Sequence, residues 1–392
     1  MKTLTHNADY IKEYNRKLIL KLLVNDSLSR ADLARKTGLT RATISVIADE
    51  LLSKKLVYEL PSIAIGKGRS PIPLVLDENA YYAIGVYLSR NGCSVSIVNI
   101  KGYALRVYVI DAVEVADVQK TLSLVVTYIR KILEEYHDQI DKILGVGLSC
   151  PGPIDIRSGR ISTPPDFKAW HNREPARFIE NETGLKTYIE NNAYSLAKFE
   201  KCYGNARHID DFLLLLIDTG VGSGIIFKGK LYAGSHGFSG EIGHTSINFA
   251  GKKCACGHSG CLEMYASIPN LLQAYGMPAT NWSNVVLQAR AGNKKANEIL
   301  KTETDYLSHG IVNAVNFLNV EAVVLDGDIL DAFDLIKIPL ENDVNNTIIA
   351  KQYERIQIIP ASGRENHHVA AAANILFDRF FTMGINGIKP TL

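Results

Sequence analysis

His244 is followed, after nine intervening residues, by Cys254, Cys256 and Cys261. Three thiols and one imidazole are the donor set of a closed tetrahedral zinc site. Gly257 and Gly260 let the intervening loop turn tightly, and four protein ligands leave no open position for an activated water. The expected metal is therefore structural zinc held by His244, Cys254, Cys256 and Cys261. The competing reading is a group of free thiols, which the close spacing disfavours. Cys93, Cys150 and Cys202 stand apart and read as core residues. Further upstream, Asp218-Thr219-Gly220-Val221-Gly222-Ser223-Gly224 is a Gly-rich turn. It reads equally as a phosphate cradle and as a plain hairpin, and it opens no helix, which disfavours a dinucleotide fingerprint.

A second group of residues with chemical potential lies near the N-terminus. Arg41, Ala42, Thr43 and Ser45 begin a helix that Thr40 caps. Ahead of it, Ser29 and Asp32 form a capping box, Leu28 staples onto Leu33, and Gly38 stops that shorter helix. Ile19, Leu22 and Leu23 give an earlier helix, from about 11 to 24, its apolar stripe. Two capped helices around a Gly-containing turn predict a helix-turn-helix, with Arg41, Thr43 and Ser45 directed at base edges. Short strands at 56–60 and 73–76 flank Gly66-Lys67-Gly68-Arg69-Ser70-Pro71, a basic wing whose Lys67 and Arg69 suit phosphate or minor-groove contact. A packing domain could share the caps, but it would not require the charge.

That charge is unevenly placed. Residues 1–75 carry 13 Lys and Arg against 7 Asp and Glu, a net +6, whereas the remainder carries −4. A basic front on a mildly acidic body predicts contact with a polyanion. The 392 residues are 46% hydrophobic, enough for two or three folded domains, which excludes a disordered or fibrous chain. The longest apolar run is Phe212 to Ile217, too short for a membrane span. The start of the chain lacks the apolar stretch of a secretory signal, so a cytoplasmic location with no membrane contact is expected.

The body must position the metal loop. Strands at 82–89, 93–99 and 103–110, joined at Asn91-Gly92 and Lys101-Gly102, form a predicted meander. Strands at 212–217, 224–227 and 231–233 repeat that plan. Helical stretches at 118–136 and 269–291 follow the two meanders. Two related halves predict a bilobal α/β body with a cleft between its lobes.

The order of winged helix, Gly-rich bilobal body, Glu241-Ile242-Gly243-His244 and Cys-x-Cys-Gly-x-x-Gly-Cys-x-Glu resembles the ROK proteins (repressors, open reading frames and sugar kinases). Asn15-Arg16 and Gly68-Arg69-Ser70-Pro71 also resemble the regulator branch, which includes xylose and N-acetylglucosamine repressors. The resemblance implies an actin-like body, hexokinase-type and ribonuclease H-like. It places the winged helix-turn-helix at 1–76 and the body at 77–392, with lobes at about 77–190 and 191–392. It also implies sugar contacts from Gly152, in Pro151-Gly152-Pro153, and from Asn191 and Asn192, in Glu190-Asn191-Asn192-Ala193. Glu241, His244 and Glu263 complete that set. Carboxylates, amides and an oriented imidazole suit vicinal hydroxyls, although each could instead be a satisfied buried polar group.

Departures from the kinase pattern imply that the body is not an enzyme. Asn192 occupies the position of the catalytic Asp, and an amide cannot take a proton at neutral pH. The first phosphate loop corresponds to Gly85-Val86-Tyr87-Leu88-Ser89-Arg90, without its Asp and paired glycines. Asp326-Gly327-Asp328 replaces a nucleotide-side Gly-Gly turn, placing two carboxylates where phosphates would approach. The expected function is a sugar-responsive repressor that binds operator DNA as a homodimer or homotetramer. The alternative is an active ATP-dependent sugar kinase with an accessory DNA-binding head.

Overall fold

The computed structural model describes residues 8–61, 71–155, 158–276, 281–353 and 355–383. At the front, helices Ala8–Leu23, Arg30–Thr37 and Arg41–Ser53 pack against a small sheet. In that sheet Pro73–Leu76 lies between Leu28–Ser29 and Val57–Glu59. The capping box forms as its residues require. The Ser29 hydroxyl accepts from Asp32 N–H and the Asp32 carboxylate accepts from Ser29 N–H, both at 3.2 Å. Gly38 adopts φ +71°, which lets the chain leave the first of these capped helices without strain. Thr40 Oγ1 accepts from Thr43 N–H at 3.1 Å and starts the next.

Ile19, Leu23, Leu33, Ile44, Ile47, Leu51 and Leu74 form the buried centre of this unit. Each contributes about 1.5–3 kcal/mol through burial. Around them, Glu50 collects Arg16, Lys12 and Lys54, and the Arg16 hydrogen bond pulls its carboxyl down to about 2. These pairs fasten the first helix to Arg41–Ser53. The expected wing contacts Lys67 and Arg69 lie outside the described residues.

Two five-stranded sheets form the body, and each repeats one plan. In the first, Tyr82–Ser89, Gly92–Asn99 and Ala104–Asp111 form an antiparallel meander. Ile143–Cys150 joins Tyr82–Ser89 in parallel, and Thr187–Asn191 joins beyond it. In the second, Phe212–Ile217, Val221–Phe227 and Lys230–Leu231 form the meander, and Ala322–Asp326 and Gln357–Pro360 add in parallel. The Gly-rich turn resolves as a hairpin. Gly222 and Gly224 lie within its second strand, facing Ala193, and do not form a cradle.

Two helices cross between the sheets. Asn192–Tyr203, which follows the first sheet in sequence, packs on Val221–Phe227 of the second. His367–Met383, which follows the second sheet, packs on Tyr82–Ser89 and Ile143–Cys150 of the first. Gly85 and Gly147 permit that return, because a Cβ at either would collide with the carbonyls of Val369 and Ala372. The lobe boundary expected at 190/191 therefore needs correction: the C-terminal helix belongs by packing to the first lobe. The stretch expected to be helical at 269–291 is also corrected. It holds two helices, Ile268–Tyr275 and Trp282–Arg290, the first ended by Gly276 at φ +72°. Among the described residues no helix is long and apolar enough to cross a membrane.

Candidate functional site

A solvent-open cleft of about 620 Å³ lies between the lobes. Strand ends build its first wall: Ser89 and Arg90 follow one strand, and Pro151 and Gly152 follow another. Asn191 and Asn192 mark the passage from a third strand into a helix. The opposite wall comes from Asp218 to Gly222, from Glu241 and His244 in a single helical turn, and from Glu263. All six residues expected to touch sugar, Gly152, Asn191, Asn192, Glu241, His244 and Glu263, line this one cleft.

Their hydrogen bonding differs in a way that matters. Asn192 is buried. Its Oδ1 accepts from Ser149 Oγ at 2.8 Å and its Nδ2 donates to the Leu88 carbonyl at 3.1 Å. Those two bonds fix the amide orientation and leave a second hydrogen and a second lone pair. Asn191 Oδ1 caps the following helix by accepting from Ala193 N–H at 2.8 Å, while its Nδ2 donates to no described residue. Glu263 Oε2 accepts from Val221 N–H at 2.9 Å. Gly220 is needed beside it, since a Cβ there would meet that oxygen at 2.7 Å.

The Glu241 carboxylate accepts no hydrogen bond from a described residue, although its backbone carbonyl accepts from His244 N–H at 3.0 Å. Desolvation by the cleft walls raises its carboxyl above the usual range, partly offset by His244. Asp218 is likewise raised by desolvation, although it accepts from Gly220 N–H at 3.2 Å. Arg90 donates to the Pro165 carbonyl through Nε and Nη2 at 3.2 and 2.6 Å. Ser89, Arg90, Pro165, Asp218 and Thr219 are cleft residues that the sequence-based set did not include. Arg90 and Asp218 carried a signal, since each ends a strand at a turn, where cleft walls are built.

His244 also faces the cysteine loop. Its Nδ1 lies 3.7 Å from Cys254 Sγ, and Cys256 Sγ lies 3.6 Å from Cys261 Sγ. All four donor atoms fall within 4.8 Å of one another. A tetrahedron with zinc–ligand bonds of about 2.0–2.3 Å has edges of roughly 3.3–3.8 Å, so these spacings fit a single zinc ion. With Nδ1 turned to the thiols, the Nε2 edge of His244 remains for the cleft.

One expectation about the far side of the cleft is overturned. Asp326 does not present a carboxylate to an approaching phosphate. It is fully buried, and His367 Nε2 and His368 Nε2 both bond its Oδ1, at 3.0 and 3.1 Å. The two histidines begin the returning helix and so reach Asp326 from the other lobe. Asp328 does remain exposed.

On the front domain Arg41 is exposed at the start of its helix, and Thr43 and Ser45 are partly so. Thr43 Oγ1 lies 2.9 Å from Thr40 Oγ1, so this hydroxyl is shared with the cap. Asp49 pairs with Arg30 at 2.9 Å, which neutralises the only acid on the outward side of that helix within the first two and a half turns.

A family model described as the ROK family matches residues 108–379. Over 380 residues the chain is 28% identical to the xylose repressor of Bacillus subtilis, covering 95% of this chain and 97% of that protein. Among solved structures, a ROK family transcriptional regulator, a homologue of the Escherichia coli MLC protein, superposes with a TM-score of 0.77. Its identity is 24%, over 96% of this chain and 99% of that one. A ROK family glucokinase from Streptomyces griseus, in complex with glucose and AMPPNP, superposes with a TM-score of 0.65 and 22% identity. It covers only 75% of this chain but 98% of its own. These two likenesses establish the fold. The chain belongs to the ROK family.

Proposed function

We propose that this chain is a sugar-responsive transcriptional repressor whose kinase-like body binds a sugar without phosphorylating it. The full-length similarity to a xylose repressor supports the regulatory role. The observation that carries the non-catalytic reading is Asn192. Its amide is clamped between Ser149 and Leu88 on the sugar side of the cleft, where a kinase needs a carboxylate to take the hydroxyl proton.

In this reading residues 1–76 form the DNA-binding domain and 77–392 the effector domain. Arg41, Thr43 and Ser45 face the major groove, with Lys67 and Arg69 on the backbone or minor groove. Gly152, Asn191, Asn192, Glu241, His244 and Glu263 surround the sugar. His244, Cys254, Cys256 and Cys261 would hold zinc. When bound, the ion supplies a closed cross-link that orders the loop and fixes His244. A homodimer presents two heads to a pseudo-palindromic operator.

The route from sugar to head runs through the crossing helices. Ala8–Leu23 packs against His367–Met383, with Lys17 Nζ donating to the Thr382 carbonyl at 3.1 Å. Asn25 Nδ2 donates to the Cys202 carbonyl at 2.6 Å, at the end of the other crossing helix. A sugar that favours one lobe angle therefore shifts the anchorage of the head. A few kcal/mol of differential affinity between the two states suffices. The test is operator binding by fluorescence anisotropy against a panel of monosaccharides. One sugar is expected to change operator affinity at least tenfold, and sequence-indifferent binding unaffected by every sugar would refute the proposal.

A further inference from the structure

We propose that Asp326, His367 and His368 form a second metal site, for a hydrated first-row divalent transition ion, at the joint between the lobes. The proposal does not depend on the repressor reading. Two imidazole nitrogens and one carboxylate are a recurrent donor set for such ions, with the remaining positions filled by water.

The spacing is the first argument. His367 Nε2 and His368 Nε2 lie 3.0 and 3.1 Å from Asp326 Oδ1, and the three donor atoms fall within 4.8 Å of one another. Adjacent ligands of an octahedral ion bonded at about 2.1 Å are separated by roughly 3.0 Å. One ion can therefore be reached by all three side chains with small adjustments.

The second argument is what the cluster leaves unsatisfied. Asp326 Oδ2 is buried and has no hydrogen-bond partner, while both imidazoles converge on the other oxygen. Hydrogen bonding alone would favour a partner on each oxygen, because an orphaned buried acceptor costs about 1–3 kcal/mol. The Tyr87 hydroxyl is also buried without a partner. The Tyr87 ring stacks on His368, with centroids 4.9 Å apart and planes 23° from parallel. A buried acceptor on Asp326 and a buried donor on the ring stacked against its histidine partner are thus both left unsatisfied. A metal ion chelated by both Asp326 oxygens, Oδ1 beside the imidazoles and the otherwise unpaired Oδ2, satisfies that acceptor.

Its surroundings suit a cation. Asp218 and Asp328 also act on Tyr87 through their charge, so two further carboxylates border the cluster. The positive end of the helix beginning at His367 opposes a cation, and the buried Asp326 carboxylate offsets it. The three ligands span the joint, because Asp326 ends a strand of the second sheet and the histidines begin the helix seated on the first. An ion here would tie the lobes behind the sugar cleft and so set their resting angle.

Cobalt(II) separates this site from the cysteine site, since thiolate ligands give an intense charge-transfer absorption and a histidine–carboxylate site does not. The full chain, stripped with chelator and refilled with Co²⁺, is desalted and assayed for metal. Two ions per chain are expected. His368→Gln and His367→Gln should each lower the total to one while leaving the thiolate absorption intact. Cys256→Ser should remove that absorption and leave the second ion. One ion in the wild-type chain overturns the proposal without reference to any variant. Two ions persisting in both histidine variants, shown folded by their melting transitions, overturn it as well.

Discussion

The two sides of the central cleft treat their polar side chains in opposite ways. On the sugar side, Asn191 Nδ2, the Glu241 carboxylate and the outer nitrogen of His244 have no partner among the described residues and face open space. On the other side Asp326 Oδ1 is bonded by His367 and His368, and its unpartnered Oδ2 is buried rather than turned to open space. Glu200, also buried there, accepts from Ser362 and Asn205 N–H at 2.7 and 3.0 Å. Buried polar groups turned toward one another hold a structure together, whereas those left facing a cavity await a ligand. The contrast matches the proposed function, in which the open side of the cleft binds the ligand.

The largest effect should come from the cysteine loop. Cys261→Ser, or chelation of the wild type, should release the zinc and abolish sugar binding, because His244 belongs to both sites. Metal analysis with sugar titration by calorimetry checks this, and sugar affinity surviving zinc loss would separate the two functions.

Glu200 tests the enclosed side. Desolvation raises its carboxyl to about 7, against about 4.5 in the unfolded chain. The folded state thus binds the extra proton between these values. The associated stability is complete below about pH 4.5 and is lost as pH rises through 7. Its size is on the order of 3 kcal/mol. Glu200→Gln should flatten that segment of the stability–pH curve, measured by denaturant unfolding across pH. An unchanged slope would show that the carboxylate is not desolvated.

On the open side, Glu241→Gln and Asn191→Ala should each weaken sugar binding by about 1–3 kcal/mol and leave sugar-free operator binding intact. Asp328→Asn, across the cleft, should change neither. Arg41→Ala gives the reverse pattern, costing about 1–3 kcal/mol in operator affinity with sugar binding unchanged. The smallest expected effect is that of Asn192→Asp. Restoring a proton acceptor alone should yield no turnover in a coupled ADP-release assay, because the opposite wall remains closed around Asp326.

Local signals carried much of this architecture. Ser29, Asp32, Gly38 and Thr40 announced two helices through their caps, and each cap is formed. Asn91-Gly92 and Lys101-Gly102 marked real turns, with Gly92 and Gly102 at φ +148° and +77°. The grouping of His244, Cys254, Cys256 and Cys261 was readable because their donors crowd into one short segment. What escaped depends on distant residues. The seating of the C-terminal helix rests on Gly85 and Gly147 meeting the Val369–Ala373 run more than two hundred positions away. The pairing of Asp326 with His367 and His368, and the hold of Arg90 on Pro165, likewise join segments with no shared local pattern. Gly276 did carry a local stop signal, and the apolar periodicity on both sides of it concealed the break.

The most direct measurement adds a panel of monosaccharides to the full chain, with and without Mg-ATP, and follows the melting temperature and sugar phosphate formation together. One sugar should raise the melting temperature while no sugar phosphate accumulates. Steady formation of sugar phosphate at a kinase-like rate, roughly 1–100 per second, would contradict the account.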